Sequence, residues 1–92
     1  MLANYQEMMA FAKSGWHITE ITTDPTTGGQ TIYAGRCAAP GCPTAAPAWC
    51  IKRTTITVTS GTQTVTEMYA DGDTLPDNVW DDRHNLNYLF II

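Results

Sequence analysis

Three cysteines are the first residues whose type and spacing could do chemistry. Cys37, Cys42 and Cys50 fall in CAAPGCPTAAPAWC, and the chain has no others. Thiols this close could hold a metal, exchange disulfides or form a covalent staple. The spacing C-x4-C-x7-C lacks the paired C-x2–4-C units that structural zinc prefers. A fourth ligand would have to be His17 or His84, both remote in sequence. No C-x-x-C is present for redox exchange. A bridge joining Cys37 to Cys42, or Cys42 to Cys50, is open if the protein meets oxidising surroundings. The expectation is inert thiols on a structural loop, without metal or cofactor.

Two acidic stretches come next. Asp71, Asp73 and Asp77 in DGDTLPD suggest calcium, but Gly72 is misplaced for an EF-hand loop and the distal glutamate is missing. Aspartate and glycine between strands are ordinary turn chemistry. WDDRH, residues 80–84, is the densest cluster. Asp82 and His84 could be cast as acid and base, yet no G-x-S-x-G nucleophile accompanies them. A structural role accounts for the cluster better. Arg83 can fork to an aspartate, while Trp80 buries its ring and keeps an N–H for a carbonyl. Asp77 could cap a turn starting at Asn78, and Lys52 and Arg53 are further partners for Asp81 or Asp82. No nucleophile, base and orienting group converge, so catalysis is not expected.

These residues need elements to hold them. LANYQEMMAFAK (2–13) spaces its apolar residues at helical intervals, with Met8, Met9 and Phe11 on or beside the stripe. Gly15 follows where a C-cap belongs. A helical arm is expected over 1–15, covering the sheet or docking on a neighbouring subunit. WHITEITT and QTIYAGRCA read as strands around the turn DPTTGG. AWCIKRTTITVT and TQTVTEMYA flank Ser60-Gly61, a hairpin signal. Within the first of these the apolar phase changes, from Trp49 and Ile51 to Ile56 and Val58. That shift predicts a bulge near Arg53 to Thr55. VWDDR suggests one helical turn, and LNYLFII a final strand. The expected fold is mainly β: a small antiparallel sheet or sandwich of about five strands with a short N-terminal helix. Residues 1–92 form a single domain, with 16–92 as its β part.

Composition narrows the function. A chain of 92 residues buries only about 60–65% of its unfolded surface, so its core is thin. Five Lys+Arg stand against nine Asp+Glu, and the longest basic run is Lys52-Arg53. Direct binding to nucleic-acid phosphates is therefore not expected. No apolar run is long enough for a membrane span, and the N-terminus lacks a basic region typical of signal peptides. The four apolar residues Leu89, Phe90, Ile91 and Ile92 need cover, in the chain's own sheet or from a neighbour.

One pattern extends across most of the β part: Tyr33-x-Gly35, Ala39-Pro40-Gly41, Trp49-x-Ile51-Lys52-Arg53, Ala70-Asp71-Gly72, Asp77-Asn78-x-Trp80-Asp81-Asp82-Arg83, and Leu86-x-Tyr88. In this it resembles a family of short proteins of tailed bacteriophages encoded among virion genes. The resemblance implies a non-enzymatic structural protein, such as a capsid decoration or a tail- or fibre-associated component. It would be made in the host cytoplasm and placed in the virion in many copies, beside other virion proteins. The cysteines and the apolar finish depart from the family pattern. The alternative is a free-standing β module that recognises a host surface or protein partner through DPTTGG and the proline loop.

Overall fold

The computed structural model describes residues 16–38 and 41–91. The expected helical arm, with Met8, Met9 and Phe11, lies outside the described residues, as does Ile92. Six strands follow in order: β1 (Ile18–Thr23), β2 (Gln30–Cys37), β3 (Pro47–Thr59), β4 (Thr62–Ala70), β5 (Asn78–Val79) and β6 (Tyr88–Leu89). They form one antiparallel sheet ordered β1-β2-β3-β4-β6, with β5 paired to β3. The strand beyond the expected five is β5, a two-residue piece that shares an edge of β3 with β4.

β3 is the spine. β2 lies along one edge, in register from Gln30↔Ile56 to Cys37↔Trp49. β4 lies along the other, from Lys52↔Tyr69 to Thr59↔Thr62. Ser60 and Gly61 join them with φ of 51° and 81°, the two positive values that a tight hairpin turn with native twist requires.

Neither register breaks at Arg53 to Thr55, so the expected bulge does not form. The irregularity sits instead at Pro47/Trp49, against β5. The apolar phase changes because the sheet is covered differently along its length. From Trp49 to Lys52 β3 is buried on both faces. Farther along, Ile56 and Val58 are half-buried on the face opposite Trp49 and Ile51.

The core occupies one end. Trp49, Ile51, Ala70, Trp80, Tyr88 and Cys37 form it, with Ile18, Tyr33, Met68 and Leu86 against them. The reverse face buries Ala34, Cys50, Lys52 and Thr54. There Trp16 lies under two cations, 4.8 Å from Lys52 Nζ and 5.2 Å from Arg36 Cζ.

At the far end one face is nearly all threonine. Thr22, Thr31, Thr55 and Thr66 align across four strands, followed by Thr57 beside Thr64 and Thr59 beside Thr62. With Asp24, Thr27 and Gly29 of the turn, Thr22, Thr31, Thr55, Thr57 and Thr59 line an open groove of about 470 Å³, joined by Ile56 and Val58.

Candidate functional site

The WDDRH stretch forms a 3-10 helix, Trp80–Asn85, laid against the core end of the sheet. Its entry is extended at Val79, without a side-chain cap. The anchor is Trp80, which is buried with its centroid 6.0 Å from that of Trp49. Gly35 makes the space: a Cβ there would come 2.7 Å from Trp80 Cε3 and 2.9 Å from Ile18 Cγ2. Asp81 N–H donates to Thr44 O, tying the helix to the proline loop.

Arg83 reaches back to β1 rather than to an aspartate. Its Nε donates to Glu20 Oε1 at 3.1 Å and its Nη2 to Oε2 at 2.7 Å, a two-pronged ion pair. Its Nη1 donates to Trp80 O, and its Cζ lies 4.7 Å from the Trp80 ring centroid. His84 Nε2 also meets Glu20 Oε1, at 2.7 Å. Arg83, then His84, holds the Glu20 carboxyl down at about 2, against an opposing contribution from burial.

Behind this pair stands an aromatic stack. Tyr33 is 5.1 Å from His84 and 5.7 Å from Tyr88, centroid to centroid. Tyr88 O–H donates to Arg83 O at 2.7 Å, and burial raises its phenol. Arg53 covers the Tyr88 ring at 4.7 Å and donates to Met68 Sδ at 3.6 Å.

Chemically this is a clamp joining β1 and β2 to the helix and β6. Glu20 is spent on Arg83, the Tyr88 hydroxyl is committed to a carbonyl, and Asp81 and Asp82 point outward, exposed. The other expected pairings change as well. Asp81 and Asp82 bind neither Arg83 nor Lys52; Lys52 pairs with Glu67 at 3.6 Å. Asp77 does not cap, because Asn78 is a β5 residue rather than a helix start; Asp77 Oδ1 accepts from Asn78 Nδ2 instead. Trp49, rather than Trp80, places its indole N–H on a carbonyl, Pro43 O at 3.0 Å. Trp49, Ile51, Arg53, Trp80, Arg83 and Tyr88 thus converge, whereas Asp77 and Asp82 stay outside.

Sequence reasoning missed Glu20. The signal was present: in ITEITT, Glu20 shares strand parity with Ile18, which packs against the core. A carboxylate in a core-phase position needs a buried cationic partner.

The cysteines divide. Cys37 and Cys42 form a disulfide across a separation of 5, correcting the expectation of free thiols. Cys50 is free and buried, and burial pushes its thiol up against the lowering effect of Arg36. It cannot resolve the bridge, because Cys37 is the partner of Trp49 and Cys50 faces the other side. Asp73 accepts from Leu75 N–H in a local turn. Among the described residues no three of His, Cys, Asp and Glu gather as a ligand set.

The expected final strand is short. Of the described tail residues only Tyr88 and Leu89 pair with β4, and Leu89, Phe90 and Ile91 remain 47%, 60% and 51% exposed. Own-sheet burial of the tail is therefore not observed for these three residues. Among the described residues no helix is long and apolar enough to cross a membrane. Compared with known proteins, the chain matches no protein-family model, no curated protein and no solved structure.

Proposed function

We propose that this protein is a non-enzymatic structural component of a tailed-phage virion, a capsid decoration or tail- or fibre-associated piece acting in many copies. The observation that carries the reading is the run Leu89-Phe90-Ile91, half or more exposed on Phe90 and Ile91 and continuous in sequence. Three consecutive large apolar side chains left exposed on a small domain call for cover by another protein. The clamp around Glu20 supports a scaffold role, since its polar groups are spent on holding elements together. The sequence resemblance supplies the virion context. Other virion proteins are the partners, and with few basic residues the chain is not a DNA binder.

The test is quantitative mass spectrometry of purified particles. Many copies per virion support the reading, and absence from virions overturns it. A second reading, a free-standing module that binds a host surface or protein partner, draws on the threonine-lined groove beneath the Asp24–Gly29 turn. A chain absent from particles that binds host cells through this groove would establish it.

A further inference from the structure

The geometry points to the outer edge of β4 as a self-pairing surface: Thr62–Met68 joins the same segment of a second copy, antiparallel, with the two-fold axis at Val65. The inference deepens the assembly reading above and rests on it only for the setting within a particle.

β6 covers just Tyr69 and Ala70 of β4. From Thr62 to Met68, no strand of the described residues lies on the outer side. The direction of the bonding groups follows from the next residues along. Asp71 N–H donates to Asn87 O at 2.8 Å, on the β6 side. Hydrogen-bonding direction in an antiparallel strand alternates residue by residue, so the odd positions face outward. Gln63, Val65 and Glu67 therefore aim N–H and C=O groups away from β3.

Open edges are ordinarily blocked by proline, bulges or free charges. This one has no proline, and its register with β3 is unbroken from Thr62 to Tyr69. Its one charge, Glu67, is engaged by Lys52. Val65 is 58% exposed at the middle of the segment.

The segment is also complementary to itself. With the axis at Val65, Val65 meets its counterpart, Gln63 faces the partner copy's carboxylate at position 67, and Thr64 opposes Thr66. Every outward pair then exchanges both backbone bonds, and each carboxylate receives an amide donor. Moving the axis to Glu67 would set two carboxylates face to face. Moving it to Thr66 would drive the partner into β6 at Tyr69.

The experiment is sedimentation velocity of the full chain over a concentration series, with three substitutions at the axis. Val65→Lys and Val65→Glu each place like charges opposite one another, and Val65→Pro removes an outward N–H without touching the β3 ladder. The wild type is expected to dimerise, and each variant to weaken the dimer about tenfold or more. An equimolar mixture of V65K and V65E restores it. Circular dichroism melts confirm that the variants fold. A wild type that stays monomeric at every concentration overturns the proposal, as does a dimer indifferent to all three changes. Particle incorporation, measured separately by mass spectrometry, distinguishes the two ideas. Normal copy number with no edge-dependent dimer removes the edge proposal alone, whereas an edge-dependent dimer absent from particles removes the virion reading alone.

Discussion

Glu20 and Gly35 do more for the site than their types announce. Gly35 is required for space: any side chain would strike the Trp80 ring and Ile18 together. Gly35→Ala should cost about 1–3 kcal/mol by overpacking, read from urea denaturation. Retention of wild-type stability would mean that Trp80 has room to move. Glu20 acts through charge. Its folded carboxyl sits at about 2 against an ordinary 4.5, so its contribution is complete above 4.5. That contribution drains away as pH falls from 4.5 towards 2. Glu20→Gln should lower stability near neutral pH by about 1–2 kcal/mol, discounted because the carboxylate is partly exposed. Its acid limb should be flatter, so the two proteins converge near pH 2. Parallel acid limbs would assign the acid sensitivity to other carboxylates.

Among the elements, those set by local chemistry were readable in the sequence and those set by distant partners were not. The β3–β4 hairpin follows from Ser60-Gly61 between β-branched runs, and the helical turn from the WDDR stretch. Tyr33, Arg53, Trp80, Arg83 and Tyr88 of the clamp stand in one sequence pattern, but Glu20 lies 63 positions from Arg83, and no local spacing links them. The phase change in β3 suggests a slip in pairing, but it records burial on both faces of one end. The proline loop depends on a bridge that spacing left ambiguous. By chain entropy, a bridge across so short a loop is worth about 2 kcal/mol. Cys42→Ser should therefore lower the melting temperature by about 8–16 °C, and reductant should lower the wild type but not the variant. Equal reductant sensitivity in both would place the effect elsewhere than this bridge.

As a whole the molecule is an elongated sheet, 40 × 28 × 23 Å, with its core at one end and an apolar finish beside that core. The core residues hold the fold; Phe90 and Ile91, largely outside it, do not. Stability and assembly are then separable by mutation. Phe90→Ser with Ile91→Ser should leave the unfolding free energy within about 0.5 kcal/mol, as for surface changes away from special features. If a neighbour covers these side chains in an assembly, each contributes about 1.5–3 kcal/mol of burial there. Their joint loss should weaken association at least a hundredfold, taking only the lower figure for each. The paired readouts are a thermal melt of the isolated chain and competition with wild type for incorporation into particles. An unchanged melt with lost incorporation makes the tail an assembly contact. A lowered melt would show that the tail packs on its own sheet in solution, and unimpaired incorporation would leave its exposure without a role in the particle.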